Sequence, residues 1–250
     1  MTDPGITPPG PPDPDLVAGF RERAAAVRRT IADACARVGR DPIGVRLVAV
    51  SKTVPPATLR SAVAAGITTL GENRVQEAAA KAPLLPGASW HLVGHLQSNK
   101  ARMALGLFDV IESVDSLELA QRLDRLLGED ADLAGDRLLR PVLLQVNVDD
   151  DPAKGGFAPA ELEATLPELG TLPRLRLSGL MTVGRLGVSP ESARPTFVAL
   201  RRLSERLRAT EPCLGPELSM GMSDDYPVAV EEGATIVRVG RAIFGQRPPA

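Results

Sequence analysis

Lys52 closes the run "VRLVAVSK", residues 45–52, where an apolar segment gives way to polar chain. Of the 29 basic residues only four are lysine (52, 81, 100 and 154), and the other 25 are arginine. Arginine keeps its proton in proteins and is a poor nucleophile, whereas a desolvated lysine can lose its proton and attack a carbonyl. An amine at the end of a buried strand is placed for Schiff-base chemistry with an aldehyde or ketone. Taken alone, a solvated strand-end lysine is the commoner case.

Three further stretches could do chemistry. "LSMGMSDD" (218–225) and "VRVGRAIFG" (237–245) offer the hydroxyls of Ser219 and Ser223 and the open backbone of Gly221 and Gly240. Such loops suit a phosphate, although Ser223-Asp224-Asp225 also reads as a plain helix cap. Arg238 is the charged residue inside the apolar run 236–239. Strand alternation sends it inward if Val237 and Val239 face the helices, and it then needs an acceptor: a ligand nitrogen, a carboxylate or a structural ion pair. "WHLVGHLQSNK" (90–100) holds both histidines and the single Trp. Trp90 and His91 read as packed and hydrogen-bonded, and His95 at the strand end is the better functional candidate.

The elements that position these residues follow from hydrophobic periodicity. A helix-period segment from residue 16 is stopped by Gly39. Apolar strand-like runs then alternate with amphipathic segments. Strands are expected at 45–50, 68–72, 90–95, 110–114, 141–148, 177–183, 217–221 and 235–240. Helices are expected at 56–65, 73–82, 98–106, 116–128, 159–169, 190–210 and 223–232, with a closing turn at 241–245. Eight such units specify an α/β fold, a single (β/α)8 TIM barrel with an extra N-terminal helix. A doubly wound open sheet is the rival, but no G-x-G-x-x-G follows the first strand. In a barrel the active face lies at the strand C-termini. Lys52, Glu72, Asn73, His95, Asn147, Ser219 and Arg238 all fall there, whereas the strand starts are bland.

Composition narrows the classes. Net charge is −2, which leaves no excess of positive charge for nucleic acid or an anionic membrane. Hydrophobic residues make up 44% of the chain, enough for a full core. Cys35 and Cys213 have no metal-type partner spacing, and no metal site is expected. The Pro/Gly-rich residues 1–12 read as a disordered tail without signal-peptide features, and residues 13–250 as one barrel domain. A cytoplasmic monomer is expected.

A lysine at strand one, a phosphate cup at strands seven and eight, and an arginine between them fit a ligand with an aldehyde at one end and a phosphate at the other. Pyridoxal 5′-phosphate (PLP) has both, on a pyridine ring. The motifs "AVSKTVP", "GENRVQE", "WHLVGHLQSNK", "LSGLMTV", "LSMGMSDD" and "TIVRVGRAIFG" closely resemble the PLP homeostasis proteins, the YggS/PROSC family, from about residue 16 to residue 247. The resemblance implies a barrel like the N-terminal domain of alanine racemase. It implies that Lys52 is the Schiff-base lysine and Arg238 the partner of the pyridine nitrogen. Asn73, Met220, Ser219 and Gly240 would line the cofactor, the last two at its phosphate. Gly221, Ser223 and Arg241 complete the expected set. Arg241 departs from the pattern, since many members carry a small hydroxyl residue there. Its backbone N–H could serve, and its guanidinium could replace the hydroxyl or point to solvent.

The implied function is intracellular PLP (vitamin B6) homeostasis without turnover and without catalytic residues, with PLP and PLP-dependent apoenzymes as partners. One rival is a PLP-dependent amino-acid racemase, which needs a tyrosine from a second domain. Another is a lysine-dependent aldolase, for which Glu72 is the candidate second group.

Overall fold

The computed structural model describes residues 10–134, 139–184 and 189–246. Residues 1–9 of the expected tail lie outside them. Helix α1 (Pro14–Arg37) starts where Asp13 accepts hydrogen bonds from the Asp15 and Leu16 N–H groups. Eight units follow: β1 (Arg46–Val50), α2 (Pro56–Ala64), β2 (Thr69–Glu72), α3 (Val75–Lys81), β3 (Ser89–Leu92), α4 (Ala101–Leu107), β4 (Val110–Val114), α5 (Leu117–Glu129) with the single turn α6 (Ala131–Ala134), β5 (Arg140–Gln145), α7 (Pro159–Leu169), β6 (Leu175–Met181), α8 (Arg194–Thr210), β7 (Glu217–Ser219), α9 (Tyr226–Glu231), β8 (Ile236–Val239) and α10 (Arg241–Phe244). The strands form a closed parallel barrel in sequence order, with β8 paired to β1. Closure excludes the open-sheet alternative.

Local chemistry explains the element ends. Pro56 opens α2, where a missing N–H costs nothing. Ser116 caps α5 by accepting from the Leu119 N–H at 3.2 Å. Glu161 in the first turn of α7 reaches back to the Ala158 N–H at 3.1 Å. Helices 98–106 and 190–210 of the sequence reading each begin as a 3₁₀ turn, Ser98–Lys100 and Pro190–Ala193. Strands three, five and seven end earlier than their apolar runs suggest, at Leu92, Gln145 and Ser219. The residues just past these ends keep single backbone bonds to the neighbouring strands: Val93 N–H to the Glu72 carbonyl, Val146 N–H to that of Met181 and Met220 N–H to that of Ile236.

The last unit of the barrel has only one helical turn, α10. Helix α1 covers the seam instead, packing on α2, α9 and α10. Phe20 meets Phe244 edge to face with centroids 5.7 Å apart, and Arg23 Nε donates to the Ile243 carbonyl at 2.6 Å. The sheet has two apolar layers. The outer one lies between strands and helices and includes Leu70, Leu92, Ile111, Leu144, Val237 and Val239. The inner one, inside the barrel, contains Val48, Leu143, Met181 and Ile236. Above it the interior turns polar.

Candidate functional site

Strand alternation decides which residues reach the barrel mouth. Val237 and Val239 belong to the outer layer and Ile236 to the inner one, so Arg238 points inward. Its side chain is buried, with Nη1 donating to Ser219 Oγ at 2.6 Å and Nη2 to the Thr182 carbonyl at 2.7 Å. Ser219 donates in turn to Glu112 Oε2 at 2.5 Å, and Glu112 Oε1 meets His91 Nδ1 at 2.5 Å. Burial alone pushes the Glu112 carboxyl up. The His91 hydrogen bond and charge, the Arg238 charge and the Ser219 hydroxyl outweigh burial and hold it below the ordinary carboxylate range. Burial also lowers Arg238, against the pull of Glu112 and Asp225. Its delocalised guanidinium remains a cation and a pure donor.

Lys52 lies two residues beyond β1, on the same alternation as the inward-facing Val48, and is half-buried. The turn that carries it is held from outside the barrel. Lys81 Nζ donates to the Ser51 carbonyl at 2.9 Å and to Glu72 Oε1 at 2.7 Å. Ser51 Oγ donates to the same Glu72 oxygen at 2.7 Å. The Thr53 N–H reaches Glu77 Oε2 at 3.1 Å. Thr53 itself has φ of 66°, a left-handed conformation that a β-branched residue adopts only under constraint. Glu72 is therefore engaged on the far face of the sheet from Lys52, which leaves the aldolase reading without its second group.

The loops after β7 and β8 close the opposite side of the mouth. Gly221 has φ of 91°, and a Cβ there would come 2.5 Å from the Ala229 Cβ, so only glycine fits. Asp225 Oδ1, not Ser223, accepts from the Met222 N–H at 2.6 Å and shapes the turn into α9. Ser223 Oγ instead accepts from the Gly240 N–H at 3.1 Å and ties the two loops together. The bonds of α10 begin with the Ile243 and Phe244 N–H groups on the Gly240 carbonyl. The N–H groups of Arg241 and Ala242 precede that ladder and suit an outside acceptor. The guanidinium of Arg241 pairs with the exposed Asp224 carboxylate.

The expected set thus divides. Lys52, Arg238, Gly221, Ser223, Gly240 and Arg241 belong to strand ends and loops of one mouth. Asn73, half-buried just past β2, follows the inward alternation of Gly71, and its carbonyl lies where a Cβ on Gly94 would be only 2.4 Å away. The Met220 side chain is buried in the outer layer, so the mouth sees its backbone. The Ser219 hydroxyl accepts from Arg238 and gives its one proton to Glu112. Asn147 is spent on its own loop, bonding Asp151 and Lys154. His95 Nδ1 meets Asp115 Oδ2 at 2.8 Å with its ring exposed. Sequence reasoning missed Glu112. Its signal was available: a carboxylate inside the apolar run "VIESV" obeys the same argument as Arg238.

The alanine racemase N-terminal domain family matches residues 23–248. The pyridoxal phosphate homeostasis protein of Pseudomonas aeruginosa is 43% identical over 229 residues, spanning 90% of this chain and 95% of that one. PipY of Synechococcus elongatus, solved with PLP bound, superposes with a TM-score of 0.78 at 43% identity, covering 90% of this chain and 100% of that chain. Alanine racemase of Corynebacterium glutamicum shares the fold at a TM-score of 0.67 and 16% identity, over 92% of this chain and 61% of that one.

Proposed function

The chain belongs to the pyridoxal phosphate homeostasis family, within the alanine racemase N-terminal domain family, and from that premise we propose that it holds PLP at the barrel mouth, in intracellular vitamin B6 homeostasis, without significant turnover. The observation that carries the reading is Arg238. It is 4% exposed and faces the barrel interior, and two of its five N–H donors have acceptors among the described residues. The donors left over have no acceptor among the described residues and suit one on a ligand. A pyridine nitrogen is such an acceptor, so the residues present fit PLP.

When bound, PLP brings an electrophilic aldehyde and a ring that can draw electrons. Lys52 supplies the amine that condenses with the aldehyde. Gly221, Ser223 and Gly240 shape the cup for the phosphate, and the N–H groups of Arg241 and Ala242 are its donors. Arg238 holds no proton it can give up near neutral pH, so a nitrogen facing it stays unprotonated. A ring held that way draws electrons weakly, which suits a carrier and handicaps carbanion chemistry. The single tyrosine, Tyr226, packs in the outer layer and is not placed to exchange a proton at the mouth. PLP-dependent apoenzymes are the partners that such a carrier would serve.

The test is exchange of the alanine Cα hydrogen in heavy water, followed by NMR on the PLP-loaded chain. Exchange should stay near the level of free PLP. A Lys52-dependent rate of about 1 per second or more, the ordinary enzymatic range, would contradict the carrier reading.

A further inference from the structure

The ionic layer beneath the mouth is an expensive way to fill a barrel. Apolar side chains of the same volume avoid the desolvation of two charges, so a buried pair is weak evidence of a stabilising role. His91, Glu112, Ser219 and Arg238 come from four different strands and are all buried. Their bonds have a direction. Arg238 can only donate, and it donates to Ser219 Oγ. The one proton of that hydroxyl goes to Glu112 Oε2. The other carboxylate oxygen is taken by His91 Nδ1.

One feature of this chain runs against the usual preference of its charges. Arginine and carboxylate favour a direct, two-pronged contact. Here no direct contact forms: a serine hydroxyl stands between Arg238 and Glu112. The Thr182 carbonyl holds the second prong of the guanidinium at 2.7 Å. The carboxylate is pinned from the other side by His91 and cannot swing freely.

We propose that Ser219 is a spacer and that Glu112 and His91 are positioning residues. Glu112 acts as the counter-ion of Arg238, and Ser219 keeps the two apart so that the remaining guanidinium N–H groups face the mouth. Without the spacer, Arg238 drops onto Glu112 in a direct pair and withdraws from the ligand. The inference rests on the reading that an acceptor nitrogen sits above Arg238.

Ser219→Ala tests it with two readouts. The crystal structure of the ligand-free variant should show a direct Arg238–Glu112 contact, and its thermal midpoint should not fall. Nitrogen-15 NMR of labelled PLP in the variant should show the ring nitrogen moved toward its protonated form, with affinity about tenfold weaker, the size of one charge-assisted hydrogen bond. In the double variant Ser219→Ala/Glu112→Gln the carboxylate is gone, and the nitrogen shift should return toward that of the parent. Ser219→Cys, nearly isosteric and weakly hydrogen-bonding, replaces the alanine variant if that one fails to fold. An unmoved guanidinium, or a withdrawn one with an unchanged nitrogen shift, overturns the proposal. A parent chain that takes up no PLP would sink the carrier reading instead, and the ligand-free crystal structure would still decide the spacer.

Discussion

Glu112 and Glu72 are both fully buried carboxylates on adjacent parts of one sheet, yet they serve opposite faces of it. Glu112 points into the barrel, and both of its oxygens have partners. Glu72 points outward toward α3. Its Oε1 takes the Lys81 and Ser51 bonds, while its Oε2 is buried with no partner among the described residues. The difference is one of task. The inner cluster fixes the direction of a charge at the mouth. The outer cluster fixes a backbone turn, the one that carries Lys52, and tolerates an orphaned oxygen to do so. Burial dominates for Glu72 and pushes its carboxyl above the ordinary range despite Lys81, the reverse of Glu112.

Removing each carboxylate should break the comparison most visibly. Glu112→Ala leaves Arg238, Ser219 and His91 without their shared acceptor and should cost about 3–5 kcal/mol. Glu72→Ala leaves Lys81 with the Ser51 carbonyl and with Glu77 at 3.7 Å, and should cost about 1–2 kcal/mol. Denaturant titration measures both. Equal losses would erase the distinction between the clusters.

Acidity sharpens the comparison because the two shifts have opposite signs. Glu112 is depressed, so its contribution is complete above the ordinary value of 4.5 and is lost as pH falls through the lower folded value. Glu72 is raised, so it costs nothing below 4.5, and the cost grows as pH rises toward its folded value. Subtracting the pH–stability profile of Glu112→Gln from that of the parent should give a difference that rises with pH up to about that value. The same subtraction for Glu72→Gln should give one that falls with pH above it. Two differences of the same sign would show that one of the environments is misread.

The smallest effect belongs to the turn itself. Thr53→Gly removes a β-branched side chain from a left-handed position and should stabilise the chain by about 1 kcal/mol, with the added flexibility of glycine already deducted. A loss of stability in the same titration would mean that the Thr53 side chain makes contacts worth more than the strain.

The barrel was legible because each strand is a short apolar run followed by a helix-period segment, and because Lys52 and Arg238 break apolar runs where polar residues have no structural excuse. Its closure was legible only by counting units. Why α1 is present was not: the shortness of α10 becomes meaningful once the β8–β1 seam needs a cover. Single residues of the site were not legible where a side chain had two possible partners. Ser219 was read toward a phosphate and turned out to face Glu112, a residue 107 positions away across the barrel. Arg241 was left between backbone, phosphate and solvent, and its guanidinium pairs with Asp224. Pairings across a barrel depend on register between distant strands, which no local pattern carries.

The central claim is that Lys52 anchors PLP. The direct measurement is borohydride reduction of the PLP-treated chain, followed by digestion and mass spectrometry. A pyridoxyl group is expected on Lys52 as the main site and absent from Lys52→Ala. A main adduct on Lys81, Lys100 or Lys154, or no adduct at all, would contradict the account.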